Sequence, residues 1–385
     1  MSTTNKGLEG VVMGQTMISQ VAGDAGQLIY GGYHIEDLAG NATFEEVCHL
    51  LWYGELPDEA DLDALRTRFV QGMSVDDRIL DVIRSTAKSS HPMAALRTAV
   101  SALSATDPDA EDKSHDANDR KAVRLTAQTI TLTAAIARIR GGGDPIAPRA
   151  DLSLAANLLY MMRGEVPDDL AERIIDAALT LHAEHGMNAS TFSARVAAST
   201  LADMHSAVTA AIGTLKGPLH GGANEQVMHM LLKIDRPETA AQYVRDALGR
   251  GEKIMGFGHR VYRTLDPRAP ILKTLAEELL GRGGETRWLE TSSVIQTTMR
   301  EEMDRRGKKI YPNVDFFSAS VYYTLGVPID LFTNVFACAR MAGWTAHVIE
   351  QMKDNRLIRP KAEYVGPKDR TVTPIAQRVS GAGHG

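Results

Sequence analysis

Cysteine and long apolar runs are both scarce in this sequence. Only Cys48 and Cys338 occur among 385 residues, which is too few for a disulfide framework and predicts a reducing compartment. The most apolar stretch, LSLAANLLYMM at 152–162, is too short to span a bilayer, and the polar start MSTTNKGLEG lacks the apolar core of a secretory signal. These absences exclude disulfide-rich secreted proteins and membrane-spanning proteins, and they predict a cytoplasmic protein.

An excess of charge of either sign is also absent. The chain has 42 Lys and Arg residues against 48 Asp and Glu residues, a net charge of −6, and the two signs are interspersed. This balance disfavours nucleic acid as a partner and predicts no special affinity for anionic membranes. A length of 385 residues with 44% hydrophobic content is ordinary for a globular protein and allows a large core and two domains.

Strand signals are sparse, and helix signals dominate. QTMISQV and QLIYGGY near the start predict one small β-hairpin. Thr43 and Glu46 form the capping box of a first helix, and the periodicity predicts a helix over 168–186 and a long one over 190–216. The fold is therefore predicted to be all-α, built by helix-on-helix packing. The charged segment 106–120 is predicted to be a solvated loop. Further helices are predicted near 92–103, 119–140, 151–163, 224–233, 237–249, 270–281, 287–306, 316–325 and 328–353.

Small residues surround one histidine in GTLKGPLHGGANEQV at 213–227. His220 follows a Pro-Leu pair and precedes two glycines, and two interpretations of this setting stay open. The stretch is either a simple turn between helices with a histidine on its rim, or an imidazole presented at a helix N-terminus. In the second case the thin backbone would let a substrate come close to the ring.

Three further polar clusters stand in unusual settings. His259 follows a small-residue turn in GEKIMGFGHRVYRTLDPRAP, with Arg260, Arg263 and Arg268 close behind it. Asp315 lies between a Pro-Asn turn and an aromatic run in IYPNVDFFSASVYYTLG, where it could equally be a helix N-cap. The fourth cluster is the pair Arg340 and Arg359. GFGH opens no βαβ unit, so nucleotide binding through it is rejected.

Taken together, the side chains of these clusters could carry out acid–base chemistry on a bound anion. Two histidines and one carboxylate can remove a proton from a weak carbon acid while a carbonyl is polarised. Several arginines can bind a substrate with two carboxylates through charge-assisted hydrogen bonds. A histidine at a helix N-terminus can stay neutral and donate a hydrogen bond to an enolate, because the dipole disfavours its protonated form.

Two rival interpretations use the same residues. Two histidines and an aspartate are also the ligand set of a non-haem iron site, but the local His-x-Asp/Glu spacing is missing and the arginines suit an anion better. The second rival is a non-catalytic helical scaffold whose histidines and arginines line an interface. Loss of ligand binding and of activity on substitution of His220 and Asp315 distinguishes an enzyme from such a scaffold.

Five motifs in register resemble the citrate synthase family. GFGHRVYRTLDPR is similar to the family signature, and HAEHGMNAST, GPLHGGANE, PNVDFFSA and ARMAGWTAHVIEQ match other blocks in the same order, from about residue 7 to 370. The resemblance implies an all-α homodimer of the shorter, dimeric type. It also implies a large domain over 1–221 and 327–385 and a small domain over 222–326 that closes over the substrates.

The family's catalytic roles map onto three residues here. The resemblance implies that His220 holds the acetyl-CoA carbonyl oxygen and stabilises the enol, and that Asp315 takes the methyl proton. His259 would polarise the carbonyl of oxaloacetate. Citryl-CoA would then be hydrolysed to citrate and CoA, with no metal and no permanently bound cofactor.

The resemblance also implies the substrate contacts. Oxaloacetate carboxylates would be bound by Arg268, Arg340 and His185, with Arg359 reaching in from the other subunit. The sequence places His185 at the end of the helix predicted over 168–186, where the helix dipole favours a charged imidazole. Basic residues would contact the CoA phosphates: Arg263 by its family position, and Lys253 and Lys308 from charge alone.

The nearest alternative is 2-methylcitrate synthase, which uses propionyl-CoA and the same residues, or a dual specificity. Relatives that prefer propionyl-CoA more often carry Phe before the Asn of HGMNAS and Trp after the Asp of NVDFFSA. This chain has Met187 and Phe316 at those positions. The sequence therefore favours acetyl-CoA, although one methyl group changes specificity by only about 1–3 kcal/mol.

Overall fold

The computed structural model describes residues 5–281 and 286–378. This part of the chain forms sixteen α-helices and one small antiparallel sheet, so the all-α prediction is confirmed. Among the described residues no helix is long and apolar enough to cross a membrane. The helices are α1 Ile35–Leu38, α2 Phe44–Tyr53, α3 Glu59–Gly72, α4 Asp77–Thr86, α5 Pro92–Leu103, α6 His115–Arg140, α7 Leu154–Arg163, α8 Asp169–His182, α9 Ala189–Ser199, α10 Met204–Leu215, α11 Ala223–Ile234, α12 Pro237–Gly249, α13 Arg268–Gly281, α14 Arg287–Arg305, α15 Val314–Thr324 and α16 Phe332–Lys353.

The sheet is the predicted N-terminal hairpin with one short strand added. Strands β1 (Ser19–Ala22) and β2 (Gln27–Tyr30) pair antiparallel across a four-residue turn, and β2 also pairs with β3 (Tyr33–His34). Leu28 and Tyr30 on β2 are fully buried. The alternating burial fixes the register, because a slip by one residue would expose both side chains.

Helix α16 is the centre of the core. Its residues from Phe332 to Val348 are all buried, and it packs against α2, α6, α8, α9 and α10. A helix that is covered on every side needs no polar face, yet α16 carries Arg340 and Trp344, both almost fully buried. Polar groups at such depth need partners, and their partners lie in the site described below.

The helix boundaries follow capping chemistry. Thr43 caps α2 with the predicted box: Glu46 N–H donates to Thr43 Oγ1 (3.3 Å), and Thr43 N–H donates to Glu46 Oε2 (2.7 Å). The helix predicted over 168–186 is capped by Asp168 and ends at His182. His185 therefore lies beyond the helix, not at its last turn.

The single helix predicted over 190–216 is wrong. The chain forms two helices, α9 and α10, separated by a break at residues 200–203. Leu201 has a positive φ of 63°, which no helical residue adopts, and Asp203 caps α10 by accepting a hydrogen bond from Ser206 N–H at 2.9 Å. The apolar periodicity continues across the break, and this is why the pattern alone joined the two helices.

The segment 106–120 is only partly the predicted loop. Helix α6 already begins at His115. Asp107, in the remaining loop, is mostly buried and pairs with Arg124 on α6 at 2.6 Å. Asp107 therefore attaches the loop to α6, whereas the charged residues 111–113 are exposed as predicted.

Candidate active site

His220 lies in the turn between α10 and α11, just before the N-cap residue Gly222. Both features expected from the sequence are present: a turn, and a ring near a helix N-terminus. The pKa of His220 is lowered to about 4, first by burial and second by Arg340, so the imidazole is neutral at physiological pH. A Cβ on Gly221 would overlap the Leu215 carbonyl oxygen, so that glycine is required by packing within the turn.

Ser190 at the start of α9 fixes the orientation of the His220 ring. Its N–H donates to His220 Nε2 at 3.3 Å, and its Oγ lies 2.8 Å from the same nitrogen. Trp344 Nε1 on α16 donates to Ser190 Oγ (3.1 Å), and Asn188 Oδ1 lies 2.7 Å from the same oxygen. With Nε2 accepting, the ring proton is on Nδ1, which is then available as a donor.

His259 lies in the loop between α12 and α13, and its tautomer is fixed by the backbone. Its Nδ1 accepts from Val261 N–H (3.0 Å) and from Tyr262 N–H (3.1 Å), so the proton is on Nε2. Burial, followed by the charge of Arg268, lowers the pKa of His259 to about 4. This ring is therefore a second neutral imidazole with one N–H free to donate.

Asp315 is in the first turn of α15, but it is not the N-cap. Asn313 takes that role and accepts from Asp315 N–H at 3.1 Å, and Asn313 Nδ2 donates to Gly258 O (2.9 Å) next to His259. Burial raises the pKa of Asp315 to about 6, with Asp266 also raising it and Arg268 and Arg340 opposing. The carboxylate is thus ionised at neutral pH and is more basic than an ordinary aspartate.

His185 lies beside His259, but the charged imidazole expected there is wrong. The two ring centroids are 5.3 Å apart, and the Tyr262 hydroxyl lies 3.2 Å from His185 Nε2. Burial lowers the pKa of His185 well below its usual value, and the charges of Arg268, His259 and Arg340 add to this. The imidazole is neutral because it is buried next to arginines and lies beyond the dipole of α8.

Two buried arginines complete the cluster. Arg268 forms a bidentate pair with Asp266, with Nε–Oδ1 at 3.0 Å and Nη2–Oδ2 at 2.8 Å. Arg340 donates from Nε to the carbonyl oxygen of His182 at 2.7 Å, and no carboxylate within the described ranges lies in ion-pair distance of it. The charges of both arginines shift the pKa of Asp315 and of His185. Asp266 pairs with Arg268, and the charges of Glu184 and Asp315 act on Arg340 without contacting it. The Arg340 guanidinium, which no carboxylate of the described residues contacts, is the group suited to bind an anion.

The remaining predicted residues are not brought into this cluster. They lie on exposed positions of the loop after α12, of the loop before α15 and of the extended segment after α16. In the described part of the chain, no hydrogen bond or ion pair joins their side chains to His220, His259 or Asp315. The residues outside the cluster are Lys253, Arg263, Lys308 and Arg359.

Ser190, Asp266 and Tyr262 were missed by sequence reasoning. Asp266 had a local signal, because it stands two residues before Arg268 within LDPR. Ser190 had none, because its role depends on α9 meeting the turn of His220. No three or more His, Cys, Asp or Glu side chains of the described residues are arranged to hold a metal ion.

Comparisons with known proteins point to one family. The family described as "Citrate synthase, C-terminal domain" matches residues 7–361. Citrate synthase of Haloferax volcanii is 50% identical, with 97% of this chain and 98% of the relative covered. 2-Methylcitrate synthase 1 of Corynebacterium glutamicum is 44% identical, with 98% and 99% covered. A citrate synthase from Thermoplasma acidophilum, solved as a ternary complex with carboxymethyl coenzyme A and oxaloacetate, is similar in structure with a TM-score of 0.90, 35% identity and coverage of 97% and 99%.

Proposed function

Since the chain belongs to the citrate synthase family, an acyltransferase family, we propose that His220, His259 and Asp315 carry its reaction. The reaction condenses acetyl-CoA with oxaloacetate and hydrolyses citryl-CoA to citrate and CoA. The following observation gives the strongest support for these roles. Two neutral imidazoles with fixed tautomers and one aspartate of raised pKa stand among two buried arginines.

The first step is removal of a proton from the methyl group of acetyl-CoA. The ionised Asp315 carboxylate takes this proton, and the electron pair of the C–H bond moves toward the thioester oxygen. His220 Nδ1–H donates a hydrogen bond to that oxygen and stabilises the enol. A neutral imidazole suits this role better than an imidazolium, because the acidity of its N–H is closer to the acidity of the enol O–H.

The second step forms the carbon–carbon bond. The enol carbon attacks the keto carbon of oxaloacetate, and the keto oxygen gains negative charge. His259 Nε2–H donates a hydrogen bond to this oxygen. The oxygen takes up one proton to become the hydroxyl of citryl-CoA, and Asp315 releases the proton that it took from the methyl group. Water then cleaves the thioester, so that citrate takes the oxygen and CoA leaves as the thiol.

Oxaloacetate binding uses the arginine N–H groups of the site that no carboxylate in the described chain contacts. Arg268 and Arg340 hold its two carboxylates, and the neutral His185 donates to one of them instead of pairing by charge. Arg359 of a second subunit completes this site in a homodimer. The CoA phosphates contact three exposed residues, namely Arg263, Lys253 and Lys308.

A closing motion protects the intermediate from water. The helices α11–α15 pack on one another, and we assign residues 222–326 to a small domain that closes on a large domain of 1–221 and 327–385. Closure would exclude water until the new bond has formed. The enzyme works in the cytoplasm and holds no cofactor permanently, since the CoA thioester is a substrate.

The proposed function is tested by comparing acetyl-CoA with propionyl-CoA as the acyl substrate. We expect kcat/KM for acetyl-CoA, with oxaloacetate saturating, to exceed that for propionyl-CoA by about 10- to 100-fold, because a pocket built for a methyl group excludes one more carbon. Release of the CoA thiol measures both rates. Relatives named 2-methylcitrate synthase at 44% identity make the opposite preference the competing outcome, and a larger kcat/KM for propionyl-CoA contradicts the proposal.

A further inference from the structure

The tip of the β1–β2 hairpin contacts the loop that carries His259. Gly23 O accepts a hydrogen bond from Arg263 N–H at 3.1 Å. A Cβ on Gly23 would overlap the Val261 carbonyl oxygen and lie 2.8 Å from its carbonyl carbon. At the other corner, Gly26 has a φ of 65°, and a Cβ there would lie 2.6 Å from Thr264 Cγ2. Gly23 and Gly26 therefore approach the loop too closely for a side chain, whereas Asp24 and Ala25 between them are exposed.

The strands of the same hairpin hold the segment around His185. Ser19 Oγ accepts from Gly186 N–H (3.2 Å) and donates to Glu184 Oε1 (2.9 Å). The Tyr30 hydroxyl donates to Glu184 O (2.6 Å). These bonds fix the backbone on both sides of His185.

The hairpin therefore bridges the two segments that present His185 and His259. We propose that its tip is a positioning element, in which Gly23 docks the His259 loop and so sets the spacing of the two imidazoles that receive oxaloacetate. The identity of that ligand rests on the proposed function. Because the hairpin belongs to the proposed large domain and the loop to the small one, the same docking also holds the site closed.

The test is Gly23→Ala, with Gly14→Ala as the matched control. The φ of Gly23 is outside the left-handed region, so alanine there adds the overlap with Val261 and no backbone strain. A Cβ on Gly14, in the same N-terminal segment, meets no atom within 4 Å. Isothermal titration calorimetry with oxaloacetate alone should give a Kd raised about tenfold for Gly23→Ala and changed less than twofold for Gly14→Ala.

If Gly23→Ala fails to fold, a second pair of variants tests the same docking role. Gly26→Ala creates strain and a contact with Thr264 Cγ2, and adding Thr264→Ser removes that methyl group while leaving the strain. We expect the oxaloacetate Kd of Gly26→Ala to recover at least threefold in the double variant, because only the contact with the loop is relieved. Absence of any recovery contradicts a docking role for the tip.

The outcomes separate this proposal from the proposed function. An oxaloacetate Kd for Gly23→Ala equal to that of Gly14→Ala overturns the positioning role alone. A wild-type enzyme that binds oxaloacetate but does not turn over either acyl-CoA overturns the proposed function alone. A wild-type enzyme that binds no oxaloacetate overturns both.

Discussion

Asp315→Asn should lower kcat by about 10²- to 10⁴-fold, the range that a positioned general base contributes. Asparagine keeps the size of the side chain but cannot accept the methyl proton. The measurement is the rate of CoA thiol release with both substrates saturating. Asp304→Asn, on the exposed face of α14, is the matched control and should keep full turnover. A variant that retains more than a tenth of wild-type kcat contradicts the assignment of Asp315 as the base.

The same variant should be more stable than the wild type, which separates lost chemistry from misfolding. The folded pKa of Asp315, about 6, lies above its ordinary value of 3.8. Its ionisation therefore costs stability as pH rises through this interval, and asparagine avoids that cost. The gain in the free energy of unfolding is up to about 3 kcal/mol at pH 7.5 and should fall below about 1 kcal/mol at pH 4. Thermal unfolding at both pH values measures it, and oxaloacetate binding should persist.

His220→Ala should lower kcat/KM for acetyl-CoA by about 10²- to 10³-fold, as the loss of one donor to a developing oxyanion does. The ring is oriented by Ser190 and Trp344, so its N–H is directed before the substrate arrives. The control is His229→Ala, an exposed histidine of α11, which should match the wild type.

Oxaloacetate binding distinguishes this role from a structural one. His220 is assigned to the thioester and not to the keto acid, so the Kd for oxaloacetate should stay within twofold of the wild-type value. A His220→Ala enzyme with unchanged kcat/KM, or one that loses oxaloacetate affinity as strongly as it loses turnover, contradicts the assigned role.

Local chemistry made much of the fold predictable. The capping box at Thr43 and the Gly-Pro pair that follows α10 could both be recognised from the sequence, because the residues that form each signal lie within a few positions of one another. The break between α9 and α10 was not, because the amphipathic pattern continues through it. Its one local signal is Asp203 three residues before Ser206, a capping pair inside an apparently continuous helix.

In the site, too, features with a local sequence signal could be predicted, and features that depend on distant contacts could not. The motifs predicted the side chains that we propose react, because each stands in an unusual local setting. The charge state of His185 could not be read in this way, since it depends on burial and on arginines far away in the sequence. Ser190 is a similar case: a serine inside a helix gives no sign that it meets the ring of His220.

The pH dependence of kcat/KM for acetyl-CoA, with oxaloacetate saturating, tests the central claim most directly. The pKa of Asp315 is about 6, and both catalytic imidazoles titrate near 4. We predict one acidic limb of unit slope with its midpoint at 6 or slightly above, raised by the negative charges of bound oxaloacetate. The residual activity of Asp315→Asn should lack this limb. The same limb in Asp315→Asn, or activity that stays flat down to pH 5 in the wild type, contradicts the account.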